Sequence, residues 1–159
     1  MIGSKLTRTI TVLGATLVLV AVNHSIRAKE RIISAGEVIY LALAPVDPRS
    51  LMQGDYMALR FQLADQLDGE GVENRSNLRA PIVLDERHVA TLAKQGVTTD
   101  RFIRYRLRHG RAWLGTNAYF FEEGSAARFA NGRFAEFRLD LESGEAVLVG
   151  LRDAELKAL

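Results

Sequence analysis

The stretch AEFRLDLESGEAVLVGL, residues 135–151, indicates the architecture of this chain more clearly than any other segment. Its first half alternates apolar and polar residues, which is the period of a strand with one buried face. Ser143 and Gly144 then suit a tight turn, and residues 146–151 return as a second strand. The segment therefore predicts an antiparallel hairpin. The inward-facing residues of its first strand are Ala135, Phe137, Leu139 and Leu141.

The same alternation occurs upstream. YMALRFQL, residues 56–63, predicts a half-buried strand with Met57, Leu59, Phe61 and Leu63 on its apolar face. RFIRYRLRHGR, residues 101–111, predicts a strand with Ile103, Tyr105 and Leu107 on one face and Arg104, Arg106 and Arg108 on the other. EVIYLALAP, residues 37–45, is apolar on both faces, which predicts a central strand buried on both sides.

The remaining segments are less regular. Residues 112–121 predict a strand bent near Gly115, and residues 64–80 predict a loop that has room for a helical turn at its start. GSAARFANG, residues 124–132, predicts a short helix with Ser125 as its N-cap and Asn131-Gly132 as its stop. Residues 81–84 predict a strand; residues 86–95 suit either a second strand after a turn or a helix capped by Asp85, and we favour the hairpin.

The N-terminal segment TITVLGATLVLVAVNHSI, residues 9–26, carries no formal charge. As a helix it would be about 27 Å long, which is close to the hydrocarbon thickness of a bilayer. A cleaved signal peptide is the main alternative, but no good pair of small residues follows the apolar run. We therefore predict a single transmembrane helix. The short arm before it favours a signal-anchor with the domain outside the cytoplasm, although the flanking basic residues barely discriminate between orientations.

The predicted organisation is an N-terminal arm (1–8), an anchor (9–26), a stalk (27–36) and a domain (37–159). Many short strands and few helices predict a mainly β, α+β chain: one transmembrane helix, then a small antiparallel sandwich or barrel-like domain with one short helix. The body is formally neutral, since removing Lys5 and Arg8 leaves 21 − 2 = 19 basic residues against 19 acidic ones. This balance argues against a general nucleic-acid binder. The absence of cysteine excludes disulfides and thiolate chemistry.

The stretch APVDPRSLMQGDYMALRF, residues 44–61, resembles the signature of a bacterial family of membrane-anchored proteins named for the motif Gly-Asp-Tyr-x-x-Leu-x-Tyr. Residues 114–153 are similar to the C-terminal half of that family. Phe61 stands where the motif has Tyr. The positions carried over from the signature are Asp47, Pro48, Arg49, Gly54, Asp55, Tyr56, Leu59 and Phe61. The resemblance implies an anchor in the bacterial cytoplasmic membrane, a domain facing the periplasm or cell exterior, and a multi-pass membrane protein as partner. It implies no particular reaction, ligand or cofactor.

The motif itself suits a structural corner or a recognition site, and we favour the corner. Gly54 permits backbone angles that other residues resist, and the Asp55 carboxylate can accept hydrogen bonds from neighbouring amides. Tyr56 can bury its ring and hold a polar partner through its hydroxyl.

Three groups of residues in the sequence offer chemical alternatives. PRSLMQGD, residues 48–55, is similar to signal peptidases, in which a serine precedes a Gly-Asp turn, although the spacing differs by about a residue; Ser50 would be the nucleophile of a Ser–Lys hydrolase and a buried Lys94 its base. Asp85, Glu86 and His88 could in principle bind a metal, but we expect a solvated turn. Arg104, Arg106 and Arg108 could bind anionic lipid or an acidic partner. We favour cross-strand pairing of these arginines with an acidic face formed by Glu136, Asp140 and Glu142.

The sequence thus leads to two hypotheses. The first is a non-enzymatic, membrane-anchored accessory or binding protein whose partners are the lipid bilayer and a multi-pass membrane protein. The second is a membrane-tethered hydrolase that uses Ser50 and Lys94. Neither hypothesis involves a cofactor, a metal or nucleic acid.

Overall fold

The computed structural model describes residues 2–44, 52–53, 56–69 and 73–159. The helices in these residues are α1 (Ile2–Ala35), α2 (Gln62–Asp65) and α3 (Ala126–Phe129). The strands are β1 (Glu37–Ala42), β2 (Met52–Gln53), β3 (Tyr56–Ala58), β4 (Arg75–Leu84), β5 (Ala90–Leu92), β6 (Phe102–Arg108), β7 (Arg111–Trp113), β8 (Ala118–Phe120), β9 (Phe134–Leu139) and β10 (Ala146–Arg152).

The strands form three antiparallel sheets in the orders β1–β9–β10, β2–β3–β8 and β5–β4–β6–β7. Single bridges join the sheets: Tyr40 to Val89, and Leu43 to Phe61. The backbone N–H of Arg104 also donates to the Gly144 carbonyl at 2.6 Å, which ties β6 to the β9–β10 turn. The strands therefore curl into a half-barrel, and the predicted mainly β domain after an apolar helix is confirmed.

One hydrophobic core fills this half-barrel. Its largest fully buried side chains come from the sheets β1–β9–β10 and β5–β4–β6–β7 and from the residue after β7: Ile39, Leu41, Ile82, Ile103, Leu114, Phe137, Leu139 and Leu151. The predicted inward positions of the C-terminal hairpin are buried up to Leu139. Leu141 is 46% exposed, because β9 ends at Leu139 and Leu141 already belongs to the turn.

The apolar face of residues 56–63 is also confirmed, since Met57, Leu59, Phe61 and Leu63 are all buried. The strand is shorter than predicted, because the chain turns into α2 at Gln62. In β1 only one face is fully buried; its other side chains are half-buried. The prediction of a central strand buried on both sides was therefore wrong, because β1 lies at the end of the sheet order β1–β9–β10.

Residues 81–92 form the predicted hairpin. Ile82 lies opposite Leu92, and the Asp85 carboxylate accepts the backbone N–H groups of Arg87 and Val89, both at 2.8 Å. The helical alternative for residues 86–95 was wrong. The loop predicted for residues 64–80 was also wrong at its end: β4 begins at Arg75, and its first half is exposed and polar, so it shows no apolar alternation.

Two local predictions need correction. The single bent strand at residues 112–121 is two strands in different sheets, because Gly115 adopts a positive φ of 74° between them. Ser125 does precede α3, but its hydroxyl donates to the Glu122 carbonyl at 2.5 Å and makes no capping bond to the helix.

Helix α1 continues without a break through the predicted anchor and stalk. Within its segment Thr7–Ala35, the most apolar window of 18 residues has a mean hydropathy of 1.7, and no residue of that window is buried. Within the part of the chain that the structure describes, this is one helix long and apolar enough to cross a membrane. Its length and composition suit a membrane span and equally a signal sequence.

The C-terminal end of α1 contacts the β domain. Ile32 is buried there, and the Gly36 N–H donates to the Ile32 carbonyl at 2.8 Å, which closes the helix. The ammonium group of Lys29 forms an ion pair with Glu145, which follows the β9–β10 turn. Helix and domain are thus joined by side-chain contacts as well as by the chain itself.

Candidate interaction surface

The Gly-Asp-Tyr motif falls, in sequence, where β2 gives way to β3, and Tyr56 is the first residue of β3. β2 and β3 are antiparallel, with Met52 opposite Met57 and Gln53 opposite Tyr56. The residues that connect them in sequence, Gly54 and Asp55, lie outside the described residues, as do Asp47, Pro48, Arg49 and Ser50. The predicted roles of these six residues therefore stay predictions.

Tyr56 belongs to an exposed aromatic pair. It lies opposite Phe120 in the β3–β8 pairing, and the two ring centroids are 5.8 Å apart at an interplanar angle of 40°. Tyr56 is half-buried, whereas Phe120 is 75% exposed. We call Tyr56 and Phe120 the aromatic patch. Aromatic side chains of this kind are enriched in the cores of protein interfaces.

The later motif positions serve the core. Leu59 and Phe61 are 6% and 2% exposed. The Phe61 ring meets Phe137 edge-on, with centroids 5.6 Å apart and an interplanar angle of 71°. Both residues also line a small cavity of about 110 Å³ beside Arg60. The motif therefore has one part that is half-buried at the surface, at Tyr56, and one part that packs inside, at Leu59 and Phe61.

Arginines dominate one face of the β4–β6–β7 sheet. The strand register places Arg79 opposite Arg104, Arg106 opposite Trp113, and Arg108 opposite Arg111. Because directly opposed residues project from the same side of a sheet, all six share one face. We call this set the arginine face: Arg79, Arg104, Arg106, Arg108, Arg111 and Trp113. The predicted separation of these arginines from Ile103 and Leu107, which are buried, is confirmed.

The contacts of the arginine face differ from the predicted ones. Arg104 pairs with Glu145 at 3.3 Å, while Arg106 and Arg108 lie over the Trp113 ring at 5.4 and 5.6 Å from its centroid. Glu136, a predicted partner, is buried and bonds to Arg152 and Arg138 instead. The reason is the strand order: β6 lies between β4 and β7 and does not neighbour β9.

Charge effects on pKa are modest and local. The hydrogen bond from the Ser143 hydroxyl lowers the pKa of Asp140, and the charge of Arg104 makes a smaller contribution in the same direction. Hydrogen bonding and charge from Glu37 raise the pKa of Arg101, and Asp65 does the same for Arg60. Both guanidinium groups are already protonated at neutral pH, so these two shifts change no charge there.

A known protein family matches most of this chain. The GDYXXLXY protein family matches residues 18–151, which cover the second half of α1 and nearly all of the β domain. This chain belongs to the GDYXXLXY family. No curated protein and no solved structure matches it. The GDYXXLXY motif here ends in Phe61, and the buried, edge-on packing of that ring on Phe137 requires no hydroxyl.

The hydrolase hypothesis receives no support from this GDYXXLXY structure. A lysine acts as a general base when burial favours its neutral form, but Lys94 is exposed just after β5. Ser50 lies outside the described residues, so its distance from Lys94 is undefined and the hypothesis stays untested. The Asp85 turn is explained by the backbone N–H groups that its carboxylate accepts. The described ranges contain no group of three or more histidine or acidic residues arranged to hold a metal ion.

The roles of three residues at these surfaces were not predicted from the sequence. Phe120 lies within the apolar run AYFF, where nothing local distinguishes an exposed ring from a buried one. Glu145 meets Lys29 across 116 positions of sequence, so only the fold brings them together. Trp113 offered a signal, because it is the single tryptophan of the chain and stands two residues after Arg111.

Proposed function

We propose that this GDYXXLXY protein is a membrane-anchored binding protein without enzymatic activity of its own, whose β domain contacts a multi-pass membrane protein. In this proposal α1 is an uncleaved single span of the bacterial cytoplasmic membrane, and the domain faces the periplasm or cell exterior. The observation that carries the proposal is the arrangement of α1, which is uncovered along its apolar length and attached to the domain at its end.

The apolar surface of α1 needs an environment other than water. Exposed large apolar side chains follow one another along it, and the β domain covers none of the most apolar window. A bilayer supplies that environment at little cost, whereas a soluble protein would bury such a helix. The contacts of Ile32 and Lys29 with the domain then hold the β sheets near the membrane surface, within reach of the loops of a multi-pass protein.

The aromatic patch supplies a contact surface of the right kind. Phe120 is the most exposed large apolar side chain of the β domain among the described residues, and it rests on the motif residue Tyr56. Large rings that gain burial on association contribute more to binding than most other side chains. We therefore place the partner contact at this patch, beside the Gly-Asp-Tyr motif.

Site-specific photocrosslinking in native membranes tests the proposal. One variant carries a photoreactive amino acid at Phe120. A matched variant carries it at Val97, which is 50% exposed and lies in the segment after β5. We expect the Phe120 probe to yield a discrete adduct with a protein of several membrane spans, identified by mass spectrometry, and the Val97 probe to yield none. Adducts with soluble proteins only, or the same adducts from both positions, would overturn the proposal.

A further inference from the structure

We propose that the arginine face binds anionic lipid headgroups of the leaflet from which α1 emerges, with a lipid phosphate held in the cavity beside Trp113. This inference rests on the proposed function, because it requires α1 to be a membrane anchor. It adds a second binding activity that is separate from the aromatic patch and from the protein partner.

The positive charge of the arginine face is not balanced by neighbouring carboxylates. In the described part of the chain, no salt bridge joins a carboxylate to Arg79, Arg106, Arg108 or Arg111. Among the described residues, Glu145 is the one carboxylate that pairs with this face, and Lys29 shares it with Arg104. Asp140 lies near enough to Arg104 for that arginine to lower its pKa, but the two form no ion pair. A nearly neutral body thus concentrates positive charge on one sheet face.

Two arginines of this face repel each other across paired strands. Arg79 lies directly opposite Arg104, and like charges in this position destabilise a strand pair. Arg79 is partly accommodated by the Phe102 ring, 4.5 Å from its guanidinium carbon. An anion placed between such arginines turns the repulsion into two favourable contacts. Arginine also binds phosphate oxygens through two parallel N–H groups, which suits a phosphodiester.

The arginine face contains a cavity of about 250 Å³. Guanidinium, hydroxyl and amide donors line it beside one carboxylate: Ser76, Asn77, Arg104, Arg106, Trp113 and Glu145. Ser76 and Asn77 lie where the β4–β6 register shifts, and Asn77 adopts a positive φ of 58°. Such irregularities in a strand re-aim side chains at its surface. The donor set matches the oxygens of a phosphate group.

The position of the face favours lipid over an acidic protein loop. Lys29 lies three residues beyond Ile26, the end of the uncharged segment, which is about 4.5 Å along the helix. Lys29 contacts Glu145, and Glu145 contacts Arg104, so a chain of two ion pairs links the membrane end of the stalk to the arginine face. Tryptophan is enriched at the level of lipid headgroups, and Trp113 is half-buried in this face.

Fluorescence of Trp113 in nanodiscs tests the inference. Trp113 is the only tryptophan, so emission from the full chain reports on this face alone. The nanodiscs consist of phosphatidylcholine with or without phosphatidylglycerol, and they carry a trace of lipid with a nitroxide on its headgroup. Quenching of Trp113 fluorescence is measured relative to the same discs without nitroxide. We expect quenching to increase when phosphatidylglycerol is present and to fall again as salt is raised, because salt screens charge contacts.

Two double variants with the same change of net charge complete the design. Arg106→Gln/Arg108→Gln removes two arginines from the face, whereas Arg128→Gln/Arg133→Gln removes two exposed arginines near α3. The first pair should lose the phosphatidylglycerol-dependent increase in quenching, and the second pair should keep it. Quenching that ignores phosphatidylglycerol, or an increase that survives in the first pair, overturns the inference.

Two further outcomes separate this inference from the proposed function. Failure of the chain to co-elute with nanodiscs would refute the anchor, and with it both proposals. Stable incorporation without lipid-dependent quenching would refute lipid binding alone. If crosslinks from Arg106 to a membrane protein were then abolished by salt, the face would belong to an acidic protein loop instead.

Discussion

Gly36 and Leu139 meet so closely that a Cβ on Gly36 would lie 3.1 Å from the Leu139 carbonyl oxygen. The same atom would lie 2.5 Å from the carbonyl oxygen of Ile32. Both neighbours are backbone atoms, which cannot move aside as a flexible side chain would. The passage from α1 into β1 is therefore a point where helix and sheet touch through their main chains.

We accordingly expect Gly36→Ala to destabilise the junction. Overpacking against backbone costs about 1–3 kcal/mol, so the melting temperature of the full chain in detergent should fall. Gly150→Ala is the matched control, because a Cβ there meets nothing within 4 Å, and it should be nearly neutral. Equal melting temperatures for the two variants would show that the junction is looser than described.

Ser143→Ala should change how stability depends on pH. The Ser143 hydroxyl donates to the Asp140 carboxylate at 2.5 Å and lowers its pKa from the ordinary value of 3.8. A lowered folded-state pKa contributes stability above the unfolded pKa, and this contribution disappears as the pH falls through the folded value. The variant should therefore melt below wild type at neutral pH, and the difference should shrink below about pH 4.

The control for that experiment is Ser125→Ala. The Ser125 hydroxyl donates to the backbone carbonyl of Glu122 and to no carboxylate. Any loss of stability in Ser125→Ala should therefore be the same at pH 3 and at pH 7. A difference for Ser143→Ala that stays constant on acidification would contradict the link to Asp140.

Asp55→Ala tests the corner interpretation of the motif. If the carboxylate accepts backbone N–H groups in the segment between the paired strands β2 and β3, its loss should cost about 1–3 kcal/mol and lower the melting temperature. Loss of partner crosslinking at an unchanged melting temperature would make Gly-Asp-Tyr a recognition site, and our structural interpretation would be wrong.

Membrane topology is open to direct measurement. The chain should resist alkaline extraction from membranes, because apolar transfer rather than charge would hold α1 in the bilayer. A reporter fused after Leu159 should be active only if it functions outside the cytoplasm. Activity of a cytoplasm-only reporter at the same position would reverse the orientation, and a cleaved N-terminus would identify α1 as a signal sequence.

The triple variant Arg104→Gln/Arg106→Gln/Arg108→Gln should stay folded. The Arg104–Glu145 pair is partly exposed, and such pairs contribute about 0–1 kcal/mol. Partner crosslinking from Phe120 should weaken only in part, since the aromatic patch and α1 remain intact. Complete loss of crosslinking by a folded variant would show that the arginines carry the protein contact.

The sequence predicted those strands whose environment repeats every two residues. In residues 135–139 and 103–107 apolar side chains alternate with polar ones, so the apolar face could be assigned without knowing its neighbours, although Glu136 is buried as well. The first half of β4 gave no such signal, because its residues are mostly exposed. Alternation also says nothing about strand order, which explains why Glu136, Asp140 and Glu142 were predicted as partners of the arginines when the partner of Arg104 is Glu145.

The candidate surfaces were predictable only in part. The basic face of residues 104–108 followed from spacing, but Arg79 and Trp113 joined it through the β4–β6 and β6–β7 registers, which are set by contacts distant in sequence. The exposure of Phe120 depends on Tyr119, the residue before it, packing its ring on Phe129, which leaves Phe120 on the opposite face of β8. Periodicity shows which residues share a strand face, and tertiary pairing decides what that face meets.

Helix α1 has 34 residues and is about 51 Å long, and its end is fastened to the sheets through Ile32, Gly36 and the Lys29–Glu145 pair. A spanning helix tilts when the bilayer becomes thinner than its apolar length. If α1 spans the bilayer as proposed, these contacts at its C-terminal end would make the β domain turn with the helix when the helix tilts relative to the membrane plane. Bilayer thickness would thereby set how close the arginine face comes to the lipid surface.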